Sequence, residues 1–183
     1  VARARAAGTR LLGPNSIGLI STAPPTALSV NAVLELEHLP TGPLAVVSQS
    51  GSLIGAMLSR GAARGIGFSR LVSVGNEADL SVGELLELLV GDAQTQAILL
   101  FLESLRDAPR IAAAARRAFD AGKPVIAYKL GCSRAGVELA RTHTGAIAGD
   151  DRAVDAFLRA CGVLRVHSFE ALIETAYLAI GQR

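Results

Sequence analysis

Residues 44–58 read LAVVSQSGSLIGAML, and the assignment of the whole chain follows from how this segment folds. Its first part is a short apolar run that ends in a serine, which predicts a buried strand over 44–48. Apolar residues then recur at helical spacing, which predicts a helix over 51–64. Because only small and polar residues lie between the two, the strand is expected to pass directly into the helix.

The same order of strand and helix recurs along the rest of the chain. Further strands are predicted over 68–74, 97–102, 124–130 and 163–166, and further helices over 81–90, 108–121, 151–160 and 169–180. Strands this apolar are covered on both faces, as in a parallel sheet. The pattern therefore predicts an α/β fold: a flavodoxin-like, doubly wound, parallel five-stranded sheet of order 2-1-3-4-5, as one domain of a larger multidomain protein.

Residues 1–40 have a different character from the rest of the chain. The turn residues Gly13-Pro14-Asn15-Ser16 and three further prolines interrupt this part. We interpret 1–40 as the tail of a preceding domain with a linker, and 41–183 as the flavodoxin-type domain. Because the chain begins at Val1 and contains a single Met, at Met57, it is expected to be a segment of a longer polypeptide.

Composition excludes several classes of function. Half of the 183 residues are apolar and 19% are charged, so the chain can bury a core. The net charge is only +2, without a basic stripe and with few aromatic residues, so nucleic acid is not an expected partner. The apolar runs are too short to cross a bilayer, and no signal peptide is present. The two cysteines provide neither a disulfide framework nor a metal site, which predicts a cytoplasmic protein without a bound metal.

Small polar residues follow the first predicted strand, at the sheet edge where doubly wound folds bind ligands. Ser50, Gly51 and Ser52 begin the next helix, where free N–H groups and the helix dipole favour an anion. A phosphate cradle and an ordinary serine cap fit this spacing equally well. Neither a Walker A loop nor a G-x-G-x-x-G motif occurs in the chain.

Two more candidate residues follow the third and fourth strands. A carboxylate at the position of Glu103 can orient a histidine or have a raised pKa, although a surface glutamate at the start of a loop is the alternative. His143 lies in the connection 131–150, which is long for such a domain, and long connections are usually functional. A structural or merely exposed histidine is the alternative. The topology predicts that the cradle, Glu103 and His143 face one crevice.

Four motifs occur in order along the chain: SGS at 50–52, SVGNEAD at 73–79, FLE at 101–103 and THTGAIAG at 142–149. Together they resemble the ligase domain of NDP-forming acyl-CoA synthetases, relatives of the succinyl-CoA synthetase alpha subunit. The resemblance covers roughly residues 10–180, and its most specific part is the His-Thr-Gly loop. Residues 13–15 resemble the segment that closes the CoA-binding domain of this family.

The resemblance implies a reaction in which acyl-CoA, phosphate and ADP (or GDP) are interconverted with a carboxylic acid, CoA and ATP (or GTP). An acyl phosphate forms, its phosphoryl group moves to His143, and the loop carries that group to the nucleotide. Glu103 would hold the imidazole. The implied phosphate-binding residues are Ser50, Gly51, Ser52, Thr144 and Gly145, with Asn76 and Asp79 in supporting positions.

The resemblance also implies partners for this chain. CoA, the nucleotide and its Mg²⁺ would be bound mainly by a CoA-binding domain and an ATP-grasp domain, in cis or as a separate subunit, and an oligomer is expected. The family more often has serine where Thr142 stands, a change that keeps the hydroxyl group.

Two other functions fit parts of the sequence. A non-catalytic acyl-CoA-sensing module, fused to an acetyltransferase, would be expected to lack the histidine, whereas His143 is present. An α/β-hydrolase would use Ser50, Glu103 and His143 in that chain order. Its G-x-S-x-G elbow is missing, because serines at positions 48 and 52 flank Ser50 instead of glycines.

Overall fold

The computed structural model describes residues 1–30, 39–131 and 151–181. The predicted loop residues His143, Thr144 and Gly145 lie outside these ranges. No helix in the described ranges is both long enough and apolar enough to cross a membrane.

All ten predicted helices and strands are present, and most of their ends differ by only a residue or two. The strands are β1 (Gly18–Thr22), β2 (Pro25–Ser29), β3 (Thr41–Ser48), β4 (Phe68–Ser73), β5 (Ala97–Leu102), β6 (Val125–Lys129) and β7 (Leu164–Val166). The helices are α1 (Ala2–Ala6), α2 (Ser52–Ala63), α3 (Val82–Gly91), α4 (Ala108–Asp120), α5 (Asp151–Ala160) and α6 (Phe169–Gly181).

The strands form one seven-stranded sheet in the order β2-β1-β4-β3-β5-β6-β7. The last five strands of this order are parallel neighbours, so the predicted doubly wound order 2-1-3-4-5 is confirmed. The predicted count of five strands is wrong, because residues 1–40 contribute a hairpin whose strand β1 pairs with β4 in the antiparallel direction. Ile20 of β1 is 1% exposed and packs into the core, which stabilises this added edge.

Successive residues of the central strands pack into cores on opposite faces of the sheet. Ala45 and Val47 of β3 face the core that α3, α4 and α5 cover, whereas Leu44 and Val46 face α2 and α6. Every residue of β5 is buried, as expected for a central parallel strand. The helices cover the two faces of the sheet, so the loops that follow the parallel strands lie at its carboxyl-terminal edge.

The segment before β1 lies along the loop between β4 and α3. The N–H groups of Asn76 and Ala78 donate to the carbonyl oxygens of Pro14 and Gly13, at 2.8 and 2.9 Å. Gly75 has a φ of +56°, and a Cβ atom there would lie 2.2 Å from the Pro14 oxygen. The close approach of these two segments therefore requires glycine at position 75.

We expect Gly75→Ala to lower the free energy of unfolding by about 1–3 kcal/mol, because alanine is strained at positive φ and would displace Pro14. Gly91→Ala is the matched control, since nothing lies within 4 Å of a Cβ atom at this helix position. The control should be neutral or slightly stabilising. Chemical denaturation of both variants measures the difference, and equal stabilities would contradict the tight docking of the leading segment.

Candidate functional site

Ser50 and Glu103 lie next to each other in the sheet topology. The last paired residues of the parallel strands β3 and β5 are Ser48 and Phe101, and each candidate residue lies two positions after the paired residue of its own strand. The Gln49 N–H donates to the Phe101 oxygen at 3.1 Å, which extends the ladder by one bond. Since neighbouring strands lie about 4.8 Å apart, the two candidates leave the sheet side by side.

The N-terminus of α2 has the properties of an anion-binding site. The helix begins at Ser52 with Gly51 as its N-cap, so the N-cap residue has no side chain that could accept a hydrogen bond from the first turn. The first N–H groups of a helix have no acceptor within the helix, so they can bind an anion. The Ser50 and Ser52 hydroxyl groups lie 3.2 Å apart at the start of this helix. Because the N-cap is glycine, the alternative of an ordinary serine cap does not hold, and the phosphate cradle stays a prediction.

Two of the cradle positions also have local structural roles. The Ser50 N–H donates to the Ser48 hydroxyl at 3.1 Å, so this N–H is already bonded. A Cβ atom on Gly51 would lie 2.7 Å from Cγ2 of Ile17. Packing against Ile17 is therefore enough to explain why position 51 is glycine. Because Ile17 follows the docked leading segment, that segment directly supports the start of α2.

Glu103 is a buried carboxylic acid, only 9% exposed. Its N–H donates to Oε1 of Gln49 at 2.5 Å. Within the described residues, no hydrogen bond to its carboxylate is observed. The carboxylate is therefore a buried acceptor at the sheet edge, which answers the alternative of an ordinary surface glutamate.

Gln49 connects the two loops, and sequence reasoning missed it. Its Oε1 accepts hydrogen bonds from the N–H groups of Glu103 and Ser104, and its Nε2 donates to the Ser104 oxygen at 3.0 Å and to Glu77. The side chain is 6% exposed. A polar residue directly after a buried strand was the available signal, but the contacts depend on the neighbouring strand.

Glu77 accepts the remaining hydrogen bond from Gln49 and links the site to α3. Its second carboxylate oxygen accepts from the Val82 N–H at 2.8 Å, at the first residue of that helix. Burial raises the pKa of Glu77, and the hydrogen bonds from Val82 and Gln49 partly oppose that shift. The residue has a φ of +53°, a conformation that is uncommon without glycine.

Asn76 and Asp79, the predicted supporting residues, lie at the docked leading segment. Asn76 is exposed, and its carbonyl oxygen accepts from Arg106 at 3.0 Å. The buried Asp79 carboxylate accepts from Arg5 at 2.6 Å, from Arg10 at 3.0 Å and from the Leu11 N–H at 2.7 Å. The structure therefore brings Ser50, Gly51, Ser52 and Glu103 together, and it places Asp79 as an anchor for residues 5–11.

The largest of the described cavities also lies at this anchor. It has a volume of about 670 Å³ and is lined by Arg5, Arg10, Glu77, Asp79 and Arg106 among others. Its lining includes none of the predicted phosphate-binding residues. No cluster of three or more potential metal ligands occurs among the residues that the structure describes.

The anchor predicts a pH-dependent stability. Hydrogen bonds from Arg10 and from the Leu11 N–H hold the pKa of Asp79 well below its usual range. A depressed folded-state pKa contributes stability above the unfolded-state pKa of about 3.9, and this contribution is lost as the pH falls further. Asp79→Asn should therefore be less stable than wild type at pH 7, with a difference that shrinks below about pH 4.

Unfolding curves at several pH values measure this difference. Asp120→Asn, at the exposed end of α4, is the control and should change little at any pH. A destabilisation by Asp79→Asn that stays constant from pH 7 to pH 3 would contradict the anchor.

Comparison with known proteins agrees with the motifs. A family model described as the succinyl-CoA ligase like flavodoxin domain matches residues 41–179. Over 168 residues, the chain is 39% identical to the alpha subunit of ADP-forming acetate–CoA ligase I of Pyrococcus furiosus, covering 92% of this chain and 35% of the relative. It is 34% identical over 168 residues to the ADP-forming 4-hydroxybutyrate–CoA ligase of Nitrosopumilus maritimus, covering 91% of this chain and 24% of the relative.

A solved structure has the same fold. The chain superimposes with a TM-score of 0.88 and 30% identity on the dinucleotide-forming acetyl-coenzyme A synthetase 1 of Ca. Korarchaeum cryptofilum, described in complex with phosphate and ADP. This match covers 98% of the present chain and 38% of that protein, so the chain spans well under half the length of these relatives. The chain belongs to the family of succinyl-CoA ligase like flavodoxin domains.

Proposed function

We propose that this chain is the phosphoryl-transfer domain of an ADP-forming acyl-CoA synthetase. The whole protein would interconvert acyl-CoA, ADP and phosphate with a carboxylic acid, CoA and ATP. The proposal is carried by one observation: the glycine-capped start of α2 and the buried residue Glu103 follow the paired ends of the neighbouring strands β3 and β5. ADP-forming ligases among the relatives support the same reaction.

The first step would form an acyl phosphate. A phosphate oxygen attacks the thioester carbonyl, the carbon–sulfur bond breaks, and CoA leaves as its thiol. The N–H groups of Gly51 and Ser52 and the two serine hydroxyl groups would hold the phosphoryl oxygens. Fixed donors of this kind stabilise the charge on the phosphoryl group, which accounts for most of the catalysis in phosphoryl transfer.

The second step would move the phosphoryl group to His143. An imidazole nitrogen forms a bond to phosphorus, the bond from phosphorus to the acyl oxygen breaks, and the carboxylate leaves. Glu103 would accept a hydrogen bond from the other ring nitrogen, which fixes the tautomer and stabilises the positive charge on the ring. Thr144 and Gly145 belong to the same proposed loop, outside the described residues.

The third step would need parts of the protein beyond this chain. The loop would carry phosphohistidine to an ATP-grasp domain, where ADP takes the phosphoryl group with Mg²⁺ bound to the nucleotide. A CoA-binding domain would supply the thioester, in cis or in another subunit of an oligomer; one relative is named as an alpha subunit. GDP remains an alternative nucleotide, and the substrates suit a cytoplasmic enzyme.

His143→Asn tests the proposal directly. The protein with its ATP-grasp part is incubated with Mg²⁺ and γ-labelled ATP, and we expect acid-labile, alkali-stable label on wild type and none on His143→Asn. His167→Asn, at an exposed residue after β7, is the matched control and should retain the label. A wild-type protein that binds ATP without taking up label would contradict the synthetase and favour the acyl-CoA-sensing module.

Glu103→Gln tests the role of the carboxylate. We expect the rate of phosphoryl transfer to fall by about 10–100-fold, the usual effect of removing a partner that orients a histidine. Binding of CoA should not change, because a separate CoA-binding domain would hold CoA. Glu174→Gln, at an exposed position on α6, controls for loss of a negative charge. An unchanged rate in Glu103→Gln would remove Glu103 from the mechanism.

A further inference from the structure

The Gln49 side chain pairs with Ser104 as one strand residue pairs with another. Its Nε2 donates to the Ser104 oxygen at 3.0 Å, and its Oε1 accepts from the Ser104 N–H at 2.9 Å. The paired residues of β3 and β5 end at Ser48 and Phe101. Beyond that point the side-chain amide replaces the missing peptide group and holds the chain after β5 against the chain after β3.

All hydrogen-bonding capacity of this amide is used. The oxygen accepts from two N–H groups, of Glu103 and Ser104, and the nitrogen donates to the Ser104 oxygen and to Glu77. A flipped amide would place its NH₂ group against two donors and its oxygen against two acceptors. The surrounding groups therefore select one orientation, and Glu77 contributes to that selection.

Gln49 is also the residue next to the cradle. Its own backbone continues into Ser50, while its side chain holds the N–H of Glu103 at 2.5 Å. One residue therefore joins the two groups that the proposed reaction requires at a fixed separation. No other described side chain hydrogen-bonds the backbone of both Glu103 and Ser104.

We propose that Gln49 is a positioning residue for phosphoryl transfer at the cradle, an inference that rests on the proposed function. It fixes the backbone of Glu103 relative to Ser50, Gly51 and Ser52, and Glu77 holds its amide in the required orientation. Misplacement of reacting groups by about 1 Å can cost about 100-fold in rate. The effect is confined to the step at the cradle, since the nucleotide would be bound by another domain.

The two half-reactions separate positioning from a general structural role. In the protein with its ATP-grasp part, γ-labelled ATP first labels His143 at the nucleotide site. Excess labelled ATP is removed, and CoA is added with acetate or 4-hydroxybutyrate, whichever discharges the wild-type label. Rapid quenching then gives one rate for labelling and one for discharge.

We expect Gln49→Met to slow discharge by about 10–100-fold while the labelling rate and the KM for the carboxylic acid stay within twofold of wild type. Gln96→Met, at an exposed glutamine, is the matched control and should change neither rate. A loss of overall stability would slow both half-reactions together.

A double variant tests the orientation of the amide. In Gln49→Glu alone, the carboxylates at positions 49 and 77 would face each other, so this variant should slow discharge more than Gln49→Met. Gln49→Glu combined with Glu77→Gln exchanges donor and acceptor between the two positions and keeps an acceptor for the N–H groups of Glu103 and Ser104, while the Ser104 oxygen loses its donor in both variants. The double variant should discharge at least tenfold faster than the single Gln49→Glu variant.

Three results would overturn the inference, and they differ from one another. Equal slowing of labelling and discharge in Gln49→Met would show that Gln49 only stabilises the fold. An unchanged discharge rate in that variant would show that the hydrogen bonds of the Gln49 side chain have no effect on the reaction. A wild-type protein that takes up no label would instead refute the proposed function, and the role of Gln49 with it.

Discussion

The parallel pairing of β3 with β5 at the centre of the sheet is the constraint on which the site depends. Because both strands run in one direction and end in register, the residues after Ser48 and Phe101 emerge at the same edge. The parallel neighbours of this pair, β4 next to β3 and β6 next to β5, end at the same edge. Helix α2 and Glu103 therefore start from neighbouring strand ends.

Polar side chains hold these loops in place, and they divide into two sets around the buried residues Gln49 and Asp79. Gln49 and Glu77 connect the ends of β3, β4 and β5 around the proposed cradle. Asp79 and its arginine partners connect the β4–α3 loop to the leading segment. The two sets meet at the loop 75–79, so the segment before β1 is coupled to the site through Glu77 as well as through the contact of Ile17 with Gly51.

Periodicity was enough to predict the central sheet, because strands such as β5 are continuously apolar and each helix has a clear apolar face. It did not predict the β1–β2 hairpin, whose exposed residues show no alternation and whose prolines suggested a linker. Motifs located Ser50, Gly51, Ser52 and Glu103 because small residues and a carboxylate after a strand have direct chemical meaning. Gln49 was missed since its function depends on backbone groups of another strand, and the role of Asp79 depends on arginines some seventy positions away.

Phosphate binding followed by NMR of the backbone amides tests the central claim most directly. Inorganic phosphate is titrated into the protein while the amide signals of Gly51, Ser52 and Leu53 are observed. Saturable shifts at these three amides, larger than those at the N-terminus of α3, are predicted, because α2 has a glycine N-cap whereas Ser81 and Glu84 form a capping box at α3. Shifts that are absent at α2, or equal at both helices, would contradict a phosphoryl site at this edge of the sheet.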